Sequence, residues 1–190
     1  MRTRVDLLLV LAACGLDAPA KDASIEPPEI ESPNGLFTLT SPALIDGGAF
    51  AAVNTCDGRN VSPELAWRNP PRGTRSFAVV LSGRRAPVEQ WVIFDVPASR
   101  RELPPAVQRA FSPNNVLGAH QTPSFVEYVT GYLGPCPPPG DRRHTYTVTV
   151  YALDVAKLRG IAPETPRQHA HRLILEHALA SATLTAVYVR

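Results

Sequence analysis

The stretch from Gly131 to Asp154, GYLGPCPPPGDRRHTYTVTVYALD, constrains the fold of this chain more than any other. Its first half, Gly134-Pro135-Cys136-Pro137-Pro138-Pro139-Gly140, is a stiff loop. Each proline fixes φ near −65° and removes a backbone donor, so the segment cannot join a sheet and holds one shape at low entropic cost. The second half, His144 to Leu153, alternates and is rich in Thr, Tyr and Val, which predicts a long strand. Side chains repeat with period two along a strand, so His144, Tyr146, Val148 and Val150 share one face. A polar pair at the strand mouth with apolar residues deeper in describes a pocket wall beside a rigid loop. The same residues also suit a surface loop followed by a core strand.

Composition narrows the class. The chain has 190 residues, enough for one domain with a sizeable core. Its 20 prolines are about twice the usual frequency and favour loops and short strands over a helical bundle. A formal charge of +2, with no basic run interleaved with aromatics, argues against nucleic acid as a partner. At the N-terminus, Arg2 and Arg4 precede a short apolar run, Leu7 to Ala13, that ends in small residues before Cys14. A bilayer span needs about 20 apolar residues, so this run reads as an export signal over residues 1–13. Leu11-Ala12-Ala13-Cys14 is similar to the lipobox of bacterial lipoproteins, in which the cysteine becomes the lipidated first residue. An ordinary signal peptide with Cys14 left free is the alternative. Gly15 after the cysteine favours, by resemblance to lipoproteins, the outer membrane. Residues 14–35 lack periodicity, are rich in Pro, Glu, Asp and Ser, and read as a flexible linker between anchor and domain.

The domain occupies residues 36–190. Leu36 to Ser41, Leu65 to Trp67, Ser76 to Ser82 and Trp91 to Val96 read as strands, separated by Pro- and Gly-rich turns. One helix is signed by Thr165 as cap, Pro166 at the first helical position and Gln168 completing a capping box. Ala170, Leu173, Ile174, His177 and Ala178 then form an apolar-facing stripe. The helix is predicted to reach about Ser181, with a last strand over Leu184 to Val189. Many strands and one such helix make the fold class mainly β, a sandwich or sheet-centred fold with a C-terminal helix packed on it.

Chemistry-bearing residues are few. With Cys14 lipidated, Cys56 and Cys136 remain as an even pair in an oxidising setting, either joined as a disulfide or as two thiols. They lack the spacing of a zinc site, and no metal or cofactor is expected. His169 and His171 face different ways on the helix and form no chelating pair. His177, on the stripe, reads as a hydrogen-bonded core residue. Asp57 and Asp154 have no evident partner, and the motifs Gly-x-Ser-x-Gly and His-Glu-x-x-His are absent from the sequence. Nothing in these residues makes an enzyme.

Ordered blocks along the domain resemble the phosphatidylethanolamine-binding protein family, in its bacterial Raf-kinase-inhibitor-like branch. They are Leu39-Thr40-Ser41-Pro42-Ala43 with Asp46-Gly47-Gly48, then Thr55-Cys56-Asp57-Gly58 with Asn60-Val61-Ser62-Pro63 and Leu65-Ala66-Trp67. Gly73-Thr74-Arg75-Ser76-Phe77-Ala78, Gly131-Tyr132 with Gly134-Pro135-Cys136-Pro137, His144-Thr145-Tyr146 and Tyr151-Ala152-Leu153-Asp154 follow, and Glu176-His177-Ala178-Leu179-Ala180 through Leu184, Tyr188 and Arg190 closes the series. The resemblance implies a β-rich fold around a large central antiparallel sheet. It also implies a small non-catalytic pocket for phosphate-like anions or phospholipid headgroups, to which His144, Tyr146, Pro137, Ala86 and Pro87 would contribute. Two departures stand out. Gly83-Arg84-Arg85-Ala86-Pro87 replaces the family's Asp-Pro-Asp-Ala-Pro, and Gln90 stands where a second pocket histidine is expected. His144 is therefore expected to lack an acidic partner. Arg84 and Arg85 are candidate anion contacts or, equally, solvated loop residues. Two functions stay open: an anion- or headgroup-binding module on an exported, lipid-anchored domain, and a degenerate-pocket scaffold that inhibits an enzyme, a kinase or protease, through protein contact.

Overall fold

A computed structural model describes residues 35–84, 88–124, 126 and 129–190 of the chain. In chain order the elements are β1 (Thr38–Thr40), β2 (Gly48–Ala49), β3 (Leu65–Arg68), β4 (Ser76–Gly83), β5 (Glu89–Pro97), β6 (Glu102–Leu103), β7 (His120–Gln121), β8 (His144–Leu153), α1 (Arg167–Glu176) and β9 (Ala178–Tyr188). Six strands form the main sheet in the order β2-β9-β8-β4-β5-β7. The sheet is mixed, because β2 runs parallel to β9 while the other pairs are antiparallel. A smaller antiparallel sheet, β1-β3-β6, lies over its front face.

Alternation along β8 explains the two layers. Tyr146, Val148 and Val150 are buried on the front, packing with Phe37, Leu39, Leu65, Trp67 and Phe77 under the small sheet. Tyr151 and Leu153 face the back, where Ala78, Val80, Val92 and Phe94 meet Ala170 and Ile174 of α1. β4 is therefore covered on both faces, and its sequence Ser-Phe-Ala-Val-Val-Leu is a near-continuous apolar run instead of an alternating one. Each large apolar side chain so buried contributes roughly 1.5–3 kcal/mol before chain entropy is counted.

Two bulges in β5 interrupt its pairing with β4. Leu81 pairs with Trp91 but Ser82 pairs with Glu89, which leaves Gln90 as the extra residue. Further on, Phe77 pairs with Val96 and Val79 with Ile93, and Asp95 in this second bulge takes φ +57°. Asp is among the residues that tolerate this left-handed conformation best.

The C-terminal region departs from the prediction. The helix ends at Glu176, and β9 begins at Ala178 instead of near Leu184. Ala178 to Ala182 locally favour continuing the helix, but β8 offers them an open edge along Leu153 to Val150. Tertiary pairing overrides local helix propensity here. The predicted capping box is not formed: the Thr165 hydroxyl accepts from the Ala162 amide at 2.8 Å, and Pro166 itself precedes the first helical residue.

Candidate functional site

At one end of the main sheet two loops are tied together. Cys56 and Cys136 form a disulfide with Cα atoms 5.3 Å apart. Beside it, the Cys56 amide donates to the Pro135 carbonyl at 3.2 Å, and the Gly134 amide donates to Asn60 Oδ1 at 2.7 Å. The Tyr132 hydroxyl, deep in the core, donates to the Asn54 carbonyl at 2.6 Å. Gly134 has no substitute: a Cβ there would sit 2.0 Å from the Asn54 carbonyl oxygen. The proline loop is thus fixed against the 54–60 segment by a covalent bond and three hydrogen bonds, and it enters β8 through a tight turn. In that turn the Asp141 amide donates to the Pro138 carbonyl at 3.2 Å, with Pro139 and then Gly140, at φ +75°, in the central positions. This is the residue pattern of a type II turn.

Beneath the loop lie His144, Tyr146 and Gln90. Tyr146 is buried, its ring edge-on to Phe50 with centroids 5.9 Å apart and stacked on His144 at 6.4 Å. Burial pushes its hydroxyl above the ordinary phenol range, although a hydrogen bond with the Gln90 side chain opposes the shift. With its amide nitrogen turned toward the loop, Gln90 also donates to the Leu133 and Gly134 carbonyls at 3.3 and 3.2 Å. The bulge in β5 is what aims Gln90 at the front face beside Trp91, although strict alternation would send the two residues apart. Gln90 therefore links Tyr146 to the proline loop.

His144 does not stand without an acid. Its Nε2 lies 2.7 Å from Asp141 Oδ2, and the Arg142 amide donates to Asp141 Oδ1 at 2.7 Å. The sequence-based expectation followed the family's missing carboxylates at 83 and 85; the structure supplies one from the turn instead. Asp57, also read as unpartnered, accepts from the Tyr188 hydroxyl at 2.6 Å and from Arg190 Nε at 2.8 Å. Tyr188 is the cross-strand neighbour of His144. A depression of about 210 Å³ opens next to this pair, lined by Ala49, Phe50, Arg143, Val187, Tyr188 and Val189.

The remaining candidates fall as follows. Pro137 is buried in the proline loop. Gly83 pairs with Tyr146, so its missing side chain leaves room on the site's own face. Arg84 is exposed and its amide donates to the Thr145 carbonyl at 2.9 Å, a register position on the opposite face from His144 and Tyr146. Arg85, Ala86 and Pro87 lie outside the described residues, as does Cys14. Far from this end, His177 is a partly exposed residue paired with Asp154 at 2.9 Å, and neither the core histidine nor the lone acid that the sequence suggested. Sequence reading missed Asp141 and Phe50, and gave Tyr188 a place in the C-terminal block but none in the site. Only Asp141 left a local signal, the Pro-Gly-Asp turn three residues ahead of His144.

Comparison with known proteins places the fold. The phosphatidylethanolamine-binding protein profile matches residues 40–189. A UPF0098 protein of Aquifex aeolicus is 34% identical over 158 residues, covering 82% of this chain and 90% of that protein. YbhB of Escherichia coli is 36% identical over 70% of this chain and 84% of its own length. The putative lipoprotein LppC of Mycobacterium tuberculosis is 31% identical over 73% of this chain and 64% of its own. Among solved structures, Escherichia coli YbcL, described as a member of the mammalian PEBP family, superposes with a TM-score of 0.74 at 28% identity, covering 81% of this chain and 98% of YbcL. With a profile match over most of its length, relatives above 30% identity and a shared mostly-β fold, the chain belongs to the phosphatidylethanolamine-binding protein family.

Proposed function

We propose that the domain is a non-catalytic binding module for a phosphate-like anion or phospholipid headgroup, exported and held at the membrane through lipid on Cys14. The observation that carries the reading is the convergence of His144, Tyr146 and Gln90 under a proline loop fixed by the Cys56–Cys136 bond. A rigid rim lowers the ordering cost of binding, and a half-buried imidazole is the natural cationic donor to an oxyanion. The name of one relative, putative lipoprotein LppC, supports the anchored form. Titration calorimetry with inorganic phosphate and with O-phosphoethanolamine tests the binding: heat that disappears in His144→Ala is expected. Membrane fractionation tests the anchor, with Cys14→Ala expected to release the protein, because stable attachment requires acyl chains. A soluble wild type without a lipid mass shift would reject that part.

One observation favours the scaffold reading. Gln90 satisfies Tyr146 and two loop carbonyls within the protein, leaving its amide little to offer a ligand. On that reading the same titrations give no heat, and the surface acts by contact with a protein target, as an inhibitor of a kinase or protease.

A further inference from the structure

We infer that Asp141 is an intramolecular competitor for the anion site: its carboxylate holds His144 Nε2 in the resting protein, and an anionic ligand binds there by displacing it. The inference rests on the proposed binding function and adds its regulation.

Three features of the structure carry it. First, the Asp141 Oδ2 to His144 Nε2 distance is 2.7 Å, that of a charge-assisted hydrogen bond. An imidazole nitrogen carries one in-plane hydrogen-bonding site, so Nε2 cannot serve Asp141 and a ligand oxygen together. Second, Asp141 is presented by construction. The type II turn Pro138-Pro139-Gly140-Asp141 has little freedom, Gly140 donates its amide to the Arg190 carbonyl at 3.0 Å, and Arg142 fixes the second carboxylate oxygen. Third, the pair sits at the rim. The Asp141 side chain is 37% exposed against 19% for His144, so water can take over the hydrogen bond of Oδ2 when a ligand takes the ring nitrogen.

The charge at this position follows from the same geometry. Here residue 83 is a glycine and the acid enters from the loop, on the ring nitrogen nearest the turn. A phosphate arriving at Nε2 meets the carboxylate's charge as well as its volume. Removing that charge is therefore expected to strengthen anion binding, whereas an acid that merely orients a catalytic or binding histidine weakens function when removed.

The test compares wild type, Asp141→Asn, Asp141→Ala and His144→Ala of the soluble domain at low ionic strength. Inorganic phosphate and O-phosphoethanolamine are the titrants in calorimetry. The expected result is phosphate affinity about tenfold higher in Asp141→Asn and Asp141→Ala than in wild type, and abolished in His144→Ala. Melting temperatures of the Asp141 variants, with the disulfide confirmed by mass, show that the fold is intact; two variants of different shape guard against failure of either one. A crystal of wild type soaked in phosphate should show the anion on Nε2 with Asp141 turned away. Unchanged or weaker binding in both Asp141 variants, beside measurable wild-type binding lost in His144→Ala, overturns this inference and leaves the binding function standing. Binding by the Asp141 variants alone supports it, and confines the binding function to a state in which the turn has been released. No binding by any of the four proteins overturns both.

Discussion

Glu89 and Gln90 are neighbours in β5, yet they serve opposite faces of the sheet. Gln90 faces the front and joins Tyr146 to the proline loop. Glu89 faces the back, where its buried carboxylate meets His171 Nδ1 of α1 at 3.0 Å, and the other nitrogen of that ring lies 3.4 Å from the Tyr151 hydroxyl. Each face thus pairs a histidine with a carboxylate, by different means. At the back the acid is rooted in a strand, buried, and clamps a helix to the sheet. At the front it stands on a turn, half in water, and can leave. The first arrangement suits structure and the second suits exchange with a ligand.

The largest expected effect concerns what holds the front in place. Cys136→Ser, or full reduction, releases a loop spanning 80 residues of sequence and should cost about 4 kcal/mol in the chain-entropy account. For a domain of this size that is a fall of roughly 10 °C in melting temperature. Thermal melts with and without reductant measure it. A shift of only a degree or two would mean that the hydrogen bonds from Cys56 and Gly134 already fix the loops.

Glu89→Ala and His144→Ala break the two pairings separately. Removing Glu89 leaves His171 beside a buried gap and should cost about 2 kcal/mol in urea denaturation, with phosphate binding unchanged. Removing His144, whose acid partner is partly in water, should cost only about 1 kcal/mol while abolishing phosphate binding. Equal losses of stability in the two variants would erase the distinction between the structural and the exchangeable pair.

Much of this was legible before any coordinates. β8 spans His144 to Leu153 as its alternation requires, because a strand with one face on a core cannot slip register without exposing that face. The proline loop and the position of Cys136 follow from residues that allow few conformations. What could not be read is where the two bulges fall. Shifting one residue at Gln90 decides which face receives Glu89, and neither side chain announces the shift. The end of α1 was hidden for a related reason: Ala178 to Ala182 locally favour helix, and the open edge of β8 overrides that preference. Asp141 was not legible because the family's acidic positions lie in the loop after β4, whereas here the fold brings the turn before β8 to the same ring.

The smallest expected effect comes from the other bulge. Asp95 is buried, accepts from the Leu158 amide at 2.8 Å and lies 4.0 Å from His120 Nε2. Desolvation pushes its carboxyl up, while the Leu158 amide, His120 and Lys157 pull the other way without cancelling the rise. A carboxyl raised in the fold favours the protonated form there. Its contribution to stability is therefore fully present below the unfolded value, about 3.9, and is lost as pH climbs through the raised folded value. At neutral pH the fold carries a charge that it would hold more cheaply as a neutral group. Asp95→Asn keeps the oxygen that Leu158 needs and tolerates φ +57°, so at pH 7 it should be neutral or stabilising by less than about 1 kcal/mol. The advantage should shrink as pH falls into the carboxyl range, where Asp95 itself becomes neutral. Urea denaturation at pH 7 and pH 4 measures both limbs. A loss of stability at pH 7 that disappears at pH 4 would reverse the argument, and would place Asp95 with Glu89 as an acid whose charge is held by its cationic neighbours.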